Sequence, residues 1–417
     1  MKKLLFLFAL FIPTVFTLFA QDFDPKNPTK PYLNTVTTAA PFLLIAPDAR
    51  ACGMGDMGVA TAPDNYSQHH NPAKYVFNKD IFGIGVSYSP WLKKLVNDIH
   101  IVYLSSFWKI TDNDAIAFSL KYFSLGEIQF TDIEGYLLNK ANPNEFALDF
   151  TYSRKLSKIV SMAITPRFVY SNLTQGFQDK GTGMDMKAGL AGAVDISLFV
   201  NKEFIHNKEF FQSSELMFGF NISNIGNKIS YSSSSSKRDF LPCNMRLGLS
   251  YAMSFDDYNK LAVGVEAGKL LVPTPSQFVT GTDTLTKEKK TIIFGNKGKD
   301  HNDFNSIEGI GYSFFGAPGG IKEKMREIVW SFGLEYSYRD ILFVRTGAFL
   351  ENKWKGNRKF ATVGVGLKYS IFVVDVCYLF ALSRQNHPLE NTLRFSLTFM
   401  LKSFNKDQIK EQGKIKK

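Results

Sequence analysis

Past residue 20, the 417-residue chain lacks any uninterrupted apolar run of the roughly 18 residues that a membrane-crossing helix needs, which excludes helical membrane spans. It is also poor in cysteine. Cys52, Cys243 and Cys377 are an odd number at wide spacing, so they form neither a disulfide framework nor a metal motif, and at most one bridge can form. No nucleophile is paired with a base and no convincing carboxylate pair occurs anywhere, so neither catalysis nor a cofactor or metal is expected. The formal charge of +11 is spread over loops and tail rather than gathered in a patch, which argues against nucleic acid as a partner.

What is present is aromatic and alternating. Phe accounts for 39 residues and Tyr for 17, and the chain is 45% hydrophobic. The opening stretch, Lys2 and Lys3 followed by an apolar run to Ala20, reads as a secretory signal peptide over residues 1–20. Far downstream, "NTLRFSLTFM" places Leu393, Phe395, Leu397 and Phe399 on one side and Arg394, Ser396 and Thr398 on the other. The same period of two recurs from Phe82 to Tyr88, from Ile116 to Tyr122 and in many later runs. Counting them gives about fourteen strands of the length a tilted membrane strand needs. The expectation is an all-β fold: a membrane β-barrel of about 14 antiparallel strands over residues 81–401, preceded by a hatch or plug segment at 21–80 and followed by a basic tail at 402–417.

Charge placement decides which face meets lipid. Lys121, Asp149, Arg167, Asp195, Arg246, Glu266, Glu335, Lys368 and Arg394 all fall on the polar parity of their strands. A basic side chain on the lipid face near the midplane costs roughly 2–4 kcal/mol, so this parity should face the lumen. Mixed signs at close quarters favour pairing and a plugged lumen over an open pore. Arg345 and Asp375 sit in runs that are apolar on both parities, and there the rule gives no answer. Connections alternate between long and short, which suggests an outer-membrane barrel with long loops outside and both termini in the periplasm. "NKEFIHNKEFFQSS" is longer than that scheme prefers.

Two local features invite functional readings. "GMGDMG", from Gly53 to Gly58, matches the spacing of a dinucleotide loop, but Pro63 and Pro72 follow where a helix should run, so its glycines more plausibly permit close backbone packing. In "SPWLKKLV", Trp91 and Leu92 flanked by Lys93 and Lys94 have the make-up of an interface anchor, with an interfacial aromatic belt as the equal alternative for Trp91. The long segment from Leu270 to Arg326 is the other expected docking region.

"PDARACGMGDMGVATAPDNYSQHHNPAKYVF", "FGIGVSYSPWLKKLVNDIHIVYL", "LKYFSLGEIQFTDIEG" and "GAPGGIKEKMREI" resemble the PorV family of the type IX secretion system. That family is similar in fold to the long-chain fatty-acid transporter FadL, a fourteen-stranded barrel with an amino-terminal hatch. Asn71, Pro72 and Ala73 match the hatch motif of the wider fold family, while Cys52 stands where a small residue such as glycine is expected, with consequences only for packing. The resemblance implies a non-enzymatic outer-membrane role. Cargo with a C-terminal sorting domain would be received as it leaves the translocon barrel and passed to the surface sortase complex, among outer-membrane lipid and lipopolysaccharide. The competing function is a FadL-like uptake channel, in which Phe343, Phe349, Ile371, Val373 and Phe123 would line an apolar pocket.

Overall fold

A computed structural model describes residues 24–402 except 25, 28–29, 31, 92–97, 132–133, 135, 174–177, 180–183, 186, 209–210, 233–237, 283–288 and 383–391. The expected leader and nearly all of the basic tail lie outside the described residues. The wall begins with β1 (Asp80–Pro90), β2 (His100–Lys109), β3 (Asp114–Ser124), β4 (Asn144–Lys155) and β5 (Val160–Asn172). It continues through β6 (Gly189–Lys208), β7 (Phe211–Gly226), β8 (Asn244–Ser254), β9 (Asn259–Leu270) and β10 (Val329–Tyr338). It ends with β11 (Leu342–Leu350), β12 (Lys359–Tyr369), β13 (Phe372–Ala381) and β14 (Leu393–Lys402). Each strand pairs antiparallel with its neighbours in sequence, and β14 closes on β1, with Tyr88 opposite Phe395. The sheet has no free edge, as a lipid-spanning sheet requires.

Alternation sorts the side chains as lipid demands. Ile84, Val86 and Tyr88 of β1 and Phe395 and Leu397 of β14 point outward, while Ser87, Ser89, Arg394, Ser396 and Thr398 are buried inside. The apolar face is therefore the outside of the barrel, and the interior is polar. "NKEFIHNKEFFQSS" is not a long connection, as the sequence suggested. It is the far end of β6 and β7, which remain paired from Ala193–Gly226 down to Lys208–Phe211. Lys202 and Glu203 there are both exposed, so this stretch shows no inside–outside alternation.

The lumen is filled by the chain's own amino-terminal part. Tyr32 to Ala40 lie at the long-loop end, where Asn34 N–H donates to the Trp354 carbonyl and Ala39 N–H to the Phe240 carbonyl. A short 3-10 turn, Pro41–Leu44, leads down to helix α1 (Ala49–Gly53), then α2 (Ser67–His70) and a second 3-10 turn, Pro72–Phe77. The Lys109 ammonium, at the short-turn end, donates to the Asn78 carbonyl. The hatch thus traverses the barrel from one mouth to the other. Tyr32 to Ala40 sit with the long loops, whereas β14 ends with the short turns.

Hatch and wall touch backbone to backbone. A Cβ on Gly347 of β11 would lie 2.2 Å from the Met54 carbonyl carbon and the Gly55 nitrogen, and one on Gly219 of β7 would lie 2.0 Å from the Val59 oxygen. Only glycine allows that approach. Gly55 itself takes φ +70, so the "GMGDMG" run is a tight turn laid against glycines of the wall.

Candidate functional site

The lumen charges form two buried networks and several single tethers. On β4 and β5, Asp149 and Arg167 are directly opposite each other in register. The Arg167 guanidinium bonds Asp149 at 2.6 Å and Asp195 of β6 at 3.0 Å, and also reaches the Asn224 side-chain oxygen. On the other side, Glu335 of β10 is opposite Arg345 of β11. Arg345 bridges Glu335 and Asp375, each at 2.6 Å, and Arg50 of α1 approaches the same Glu335 at 3.1 Å and Asp64 at 2.7 Å. Arg345 and Asp375, on which sequence parity was silent, are therefore lumenal partners.

The remaining charges tie the wall to the hatch. Arg246 pairs with Glu266 at 2.6 Å and donates to the Asp56 carbonyl, while Glu266 accepts the Gly58 and Val59 N–H groups at 2.9 and 2.8 Å. Arg394 bonds the Asp56 carboxylate at 2.7 Å, and the Lys121 ammonium donates to the Leu43 and Ile45 carbonyls. Lys368 is not brought into either network; it lines a cavity at the short-turn end and makes no ion pair among the described residues. Sequence reasoning missed the hatch side of these contacts. Arg50, Asp56 and Asp64 lie in irregular chain without periodicity, and Asp48 does double duty, capping α1 through Ala51 N–H at 2.8 Å and holding His70 at 2.9 Å.

Asn71, Pro72 and Ala73 have a plain structural chemistry. The Asn71 side chain caps the 3-10 turn by accepting Ala73 N–H, and its amide donates to the carbonyls of Val59 in the hatch and Leu198 in the wall, both at 2.9 Å. Pro72 opens the turn, where no N–H is needed. Ala73 is small enough to sit against Phe199 and Met217, and its carbonyl accepts the Ser161 hydroxyl at 2.6 Å.

The expected apolar pocket is not one site. Phe343 and Val373 line a cavity of about 340 Å³ at the short-turn end, and Phe349 lines one of about 460 Å³ at the long-loop mouth; the two share no lining residue. Phe123 lines neither and stacks on Phe42 of the hatch at 6.3 Å between centroids. Ile371 also lies outside both, in the turn between β12 and β13, where its carbonyl accepts Met400 N–H. Trp91 does not take the interfacial-belt position that the sequence offered as one alternative. It turns inward, lines the mouth cavity, packs against the hatch cluster of Phe42 and Leu43, and lies 5.9 Å from the Arg394 guanidinium. Leu92, Lys93 and Lys94 lie outside the described residues.

The long connection between β9 and β10 has regular structure of its own among the described residues. It carries a hairpin (Gln277–Thr282 with Lys289–Phe294) and two helices, α3 (Ser306–Phe315) and α4 (Gly320–Arg326). Asn305 and Glu308 close a reciprocal capping box on α3. Beneath α4 lies a buried ionic knot. Glu323 accepts from Asn34 at 3.0 Å, from Lys355 at 2.6 Å and from Gly319 N–H at 2.8 Å. Glu327 takes Lys269 at 2.6 Å, Lys355 at 3.3 Å and the Thr274 hydroxyl at 2.5 Å. Burial alone would raise the Glu327 carboxyl, but Lys324, Lys269 and Lys355 together outweigh it and hold it below its ordinary value of 4.5.

The helices are reversed with respect to an ordinary surface helix. Gly309 and Ser313 are buried, Gly309 against Phe240, whereas Ile307 is 80% exposed and Phe315 86% exposed on α3, and Ile321 is 78% and Met325 64% exposed on α4. Apolar side chains at i and i+8 of α3 and at i and i+4 of α4 face away from the protein. These four side chains leave apolar surface exposed on the long-loop face.

The sequence matches the family model for the type IX secretion system protein PorV over residues 28–277. The chain belongs to the PorV family. As a PorV family member it is an outer-membrane component of the type IX secretion system, of a transport rather than an enzymatic type. Among solved structures it is similar to the toluene transporter TbuX of Ralstonia pickettii (11% identity, 86% of this chain and 98% of that one, TM-score 0.45). It is likewise similar to the toluene transporter TodX of Pseudomonas putida (11% identity, 84% and 96%, TM-score 0.46) and to a Pseudomonas aeruginosa FadL homologue (12% identity, 89% and 99%, TM-score 0.44). No curated protein matches the sequence.

Proposed function

We propose that this PorV family member works as a closed outer-membrane barrel whose long-loop face points outward and docks proteins. It receives cargo through the C-terminal sorting domain as the cargo leaves the translocon barrel, and hands it to the surface sortase complex that attaches it to lipopolysaccharide. The observation that carries this reading is the outward apolar face of α3 and α4, held rigid by the ionic knot of Glu323 and Glu327 above a filled lumen. A surface held in place by buried ion pairs is pre-organised for a partner. The uptake alternative lacks support, because the two cavities that a hydrophobic solute would use share no lining residue.

Phe315→Asp and Ile321→Asp test the reading. Both side chains are exposed, so the barrel should insert and melt as wild type, while binding of a purified cargo sorting domain falls at least tenfold and cargo accumulates in the periplasm. Normal binding and secretion in the double variant would move the docking surface elsewhere.

A further inference from the structure

The hatch is tied to the wall by a covalent bond that the family resemblance does not call for. Cys52, in α1, is bonded to Cys377, in β13, across a sequence separation of 325 residues, with the Cα atoms 6.0 Å apart. Both are buried, with Ala49 packed beside them. The sequence reading gave Cys52 a packing role only; its sulfur instead cross-links the plug to the barrel.

We propose that this disulfide is a permanent latch that keeps the hatch inside the lumen, so that the mature oxidised protein never opens by hatch displacement. The bond sits where hatch and wall backbones already touch, since a Cβ on Gly53 would lie 3.1 Å from the Cα of Gly364 in β12. It also shares its two elements with an ion network: Arg50 is two residues from Cys52, and Asp375 is two residues from Cys377. Arg50, Glu335, Arg345 and Asp375 join those elements by charge, and the sulfurs join them by a bond that neither salt nor acid breaks. The hatch is anchored at the long-loop mouth through Asn34 and near the short-turn end through Asn71, so α1 is latched at the middle of a threaded chain. With α1 fixed, neither flank can be drawn through the barrel.

The third cysteine does not compete for the bond. Cys243 is buried and free, and burial, with Asp195 adding to it, pushes its thiol up to about 12, so it stays protonated and does not attack the latch. The inference rests on this geometry alone and holds whichever partner the long-loop face takes.

Urea-ramped planar-bilayer recording on the full-length inserted protein tests it. A dithiol reductant supplies two electrons and two protons, leaving two cysteine thiols and its own cyclic disulfide. The oxidised protein should stay closed up to the urea concentration that unfolds the barrel. Reduced protein, and Cys52→Ser with Cys377→Ser, should conduct at lower urea, with openings at least tenfold more frequent at a matched concentration. Should the double variant fail to insert, reduction of inserted wild-type protein reads the same property. Alkylation of unreduced, denatured protein should find one thiol. Three thiols, large currents from oxidised protein without urea, or one shared urea threshold for oxidised and reduced protein would each overturn the latch.

Discussion

Arg167→Leu removes the cation that bridges Asp149 and Asp195, and the size of its effect follows from what stays behind. All three side chains are buried, and the guanidinium sits 2.6 and 3.0 Å from the two carboxylates. At an effective dielectric near 20, opposite charges about 4 Å apart attract by about 4 kcal/mol, and breaking a buried pair costs about 3–5 kcal/mol because the abandoned charge keeps its desolvation penalty. Here two acids are abandoned together, so the upper part of that range applies, equivalent to about three powers of ten in the folding equilibrium. Urea titration in lipid vesicles, read as the shift between unheated and heated bands on a gel, should show a clearly lower midpoint. Adding Asp149→Asn and Asp195→Asn to the same chain should restore most of the loss, since neutral amides need no counter-ion. Arg154→Leu at the rim, where the side chain is exposed and meets Asp114 at 3.8 Å, serves as the control and should leave the midpoint in place. A wild-type midpoint for Arg167→Leu, or no rescue in the triple variant, would refute the paired-lumen account.

Two other predictions follow from packing and titration. Gly347→Val puts a side chain within 2.2 Å of hatch backbone, so it should destabilise the seated hatch by about 1–3 kcal/mol or more and expose Gly53–Gly58 to protease while the barrel still inserts; an uncleaved hatch would show that the wall yields instead. The depressed Glu327 carboxyl gives stability that is fully present above its ordinary value of 4.5 and is lost as pH falls through the lower folded value, so acidification below that point should lower the amide hydrogen-exchange protection of α4, taken relative to the intrinsic rate at each pH. Glu327→Gln should abolish that pH dependence. Equal protection of α4 at pH 3 and pH 7 in wild-type protein would count against the ionic knot.

The wall was legible in the sequence because lipid on one side and a polar lumen on the other impose a period of two, and each misplaced charge is costly. The same cause sets the limit. Lys202 and Glu203, in the part of β6 nearest the short turn, are both exposed, so no alternation marks the strand there and it reads as a loop. Arg345 and Asp375 were ambiguous because their strands carry apolar residues on both parities, yet the register around the turn from Tyr338 to Leu342 pairs Arg345 with Glu335 directly. Counting outward from that short turn would have found the pair. No such count reaches the Cys52–Cys377 latch or the bond from Asn34 to Glu323, because partners roughly 300 residues apart in an irregular segment leave no local signal. Trp91 misled for a different reason. An aromatic between a strand and lysines looks like an anchor or a belt residue, and only the presence of the hatch turns it inward.

That last point bears on what the hatch is. A soluble protein folds around apolar side chains, but here many of them face lipid, and the interior holds charged side chains beside smaller apolar clusters such as that of Phe42, Ile101 and Phe123. Arg394 has Asp56, Lys121 has the Ile45 carbonyl, and Glu266 has the Gly58 and Val59 amides, and each of these partners belongs to the hatch. Remove the hatch and those wall charges face a bare lumen while Ser396, Thr362 and Thr151 lose the hatch groups they bond. The hatch is therefore the polar core of the barrel and not an insert placed in a finished pore. It also runs from mouth to mouth, and the first and last strands close around it through β1 and β14. Seating after closure would mean drawing Tyr32 to Ala40, with its buried Tyr32 and Asn34, through a lumen already crowded by Arg167 and Arg345. Closure around a chain already in place avoids that passage, and the Cys52–Cys377 bond joins the seated hatch to the wall.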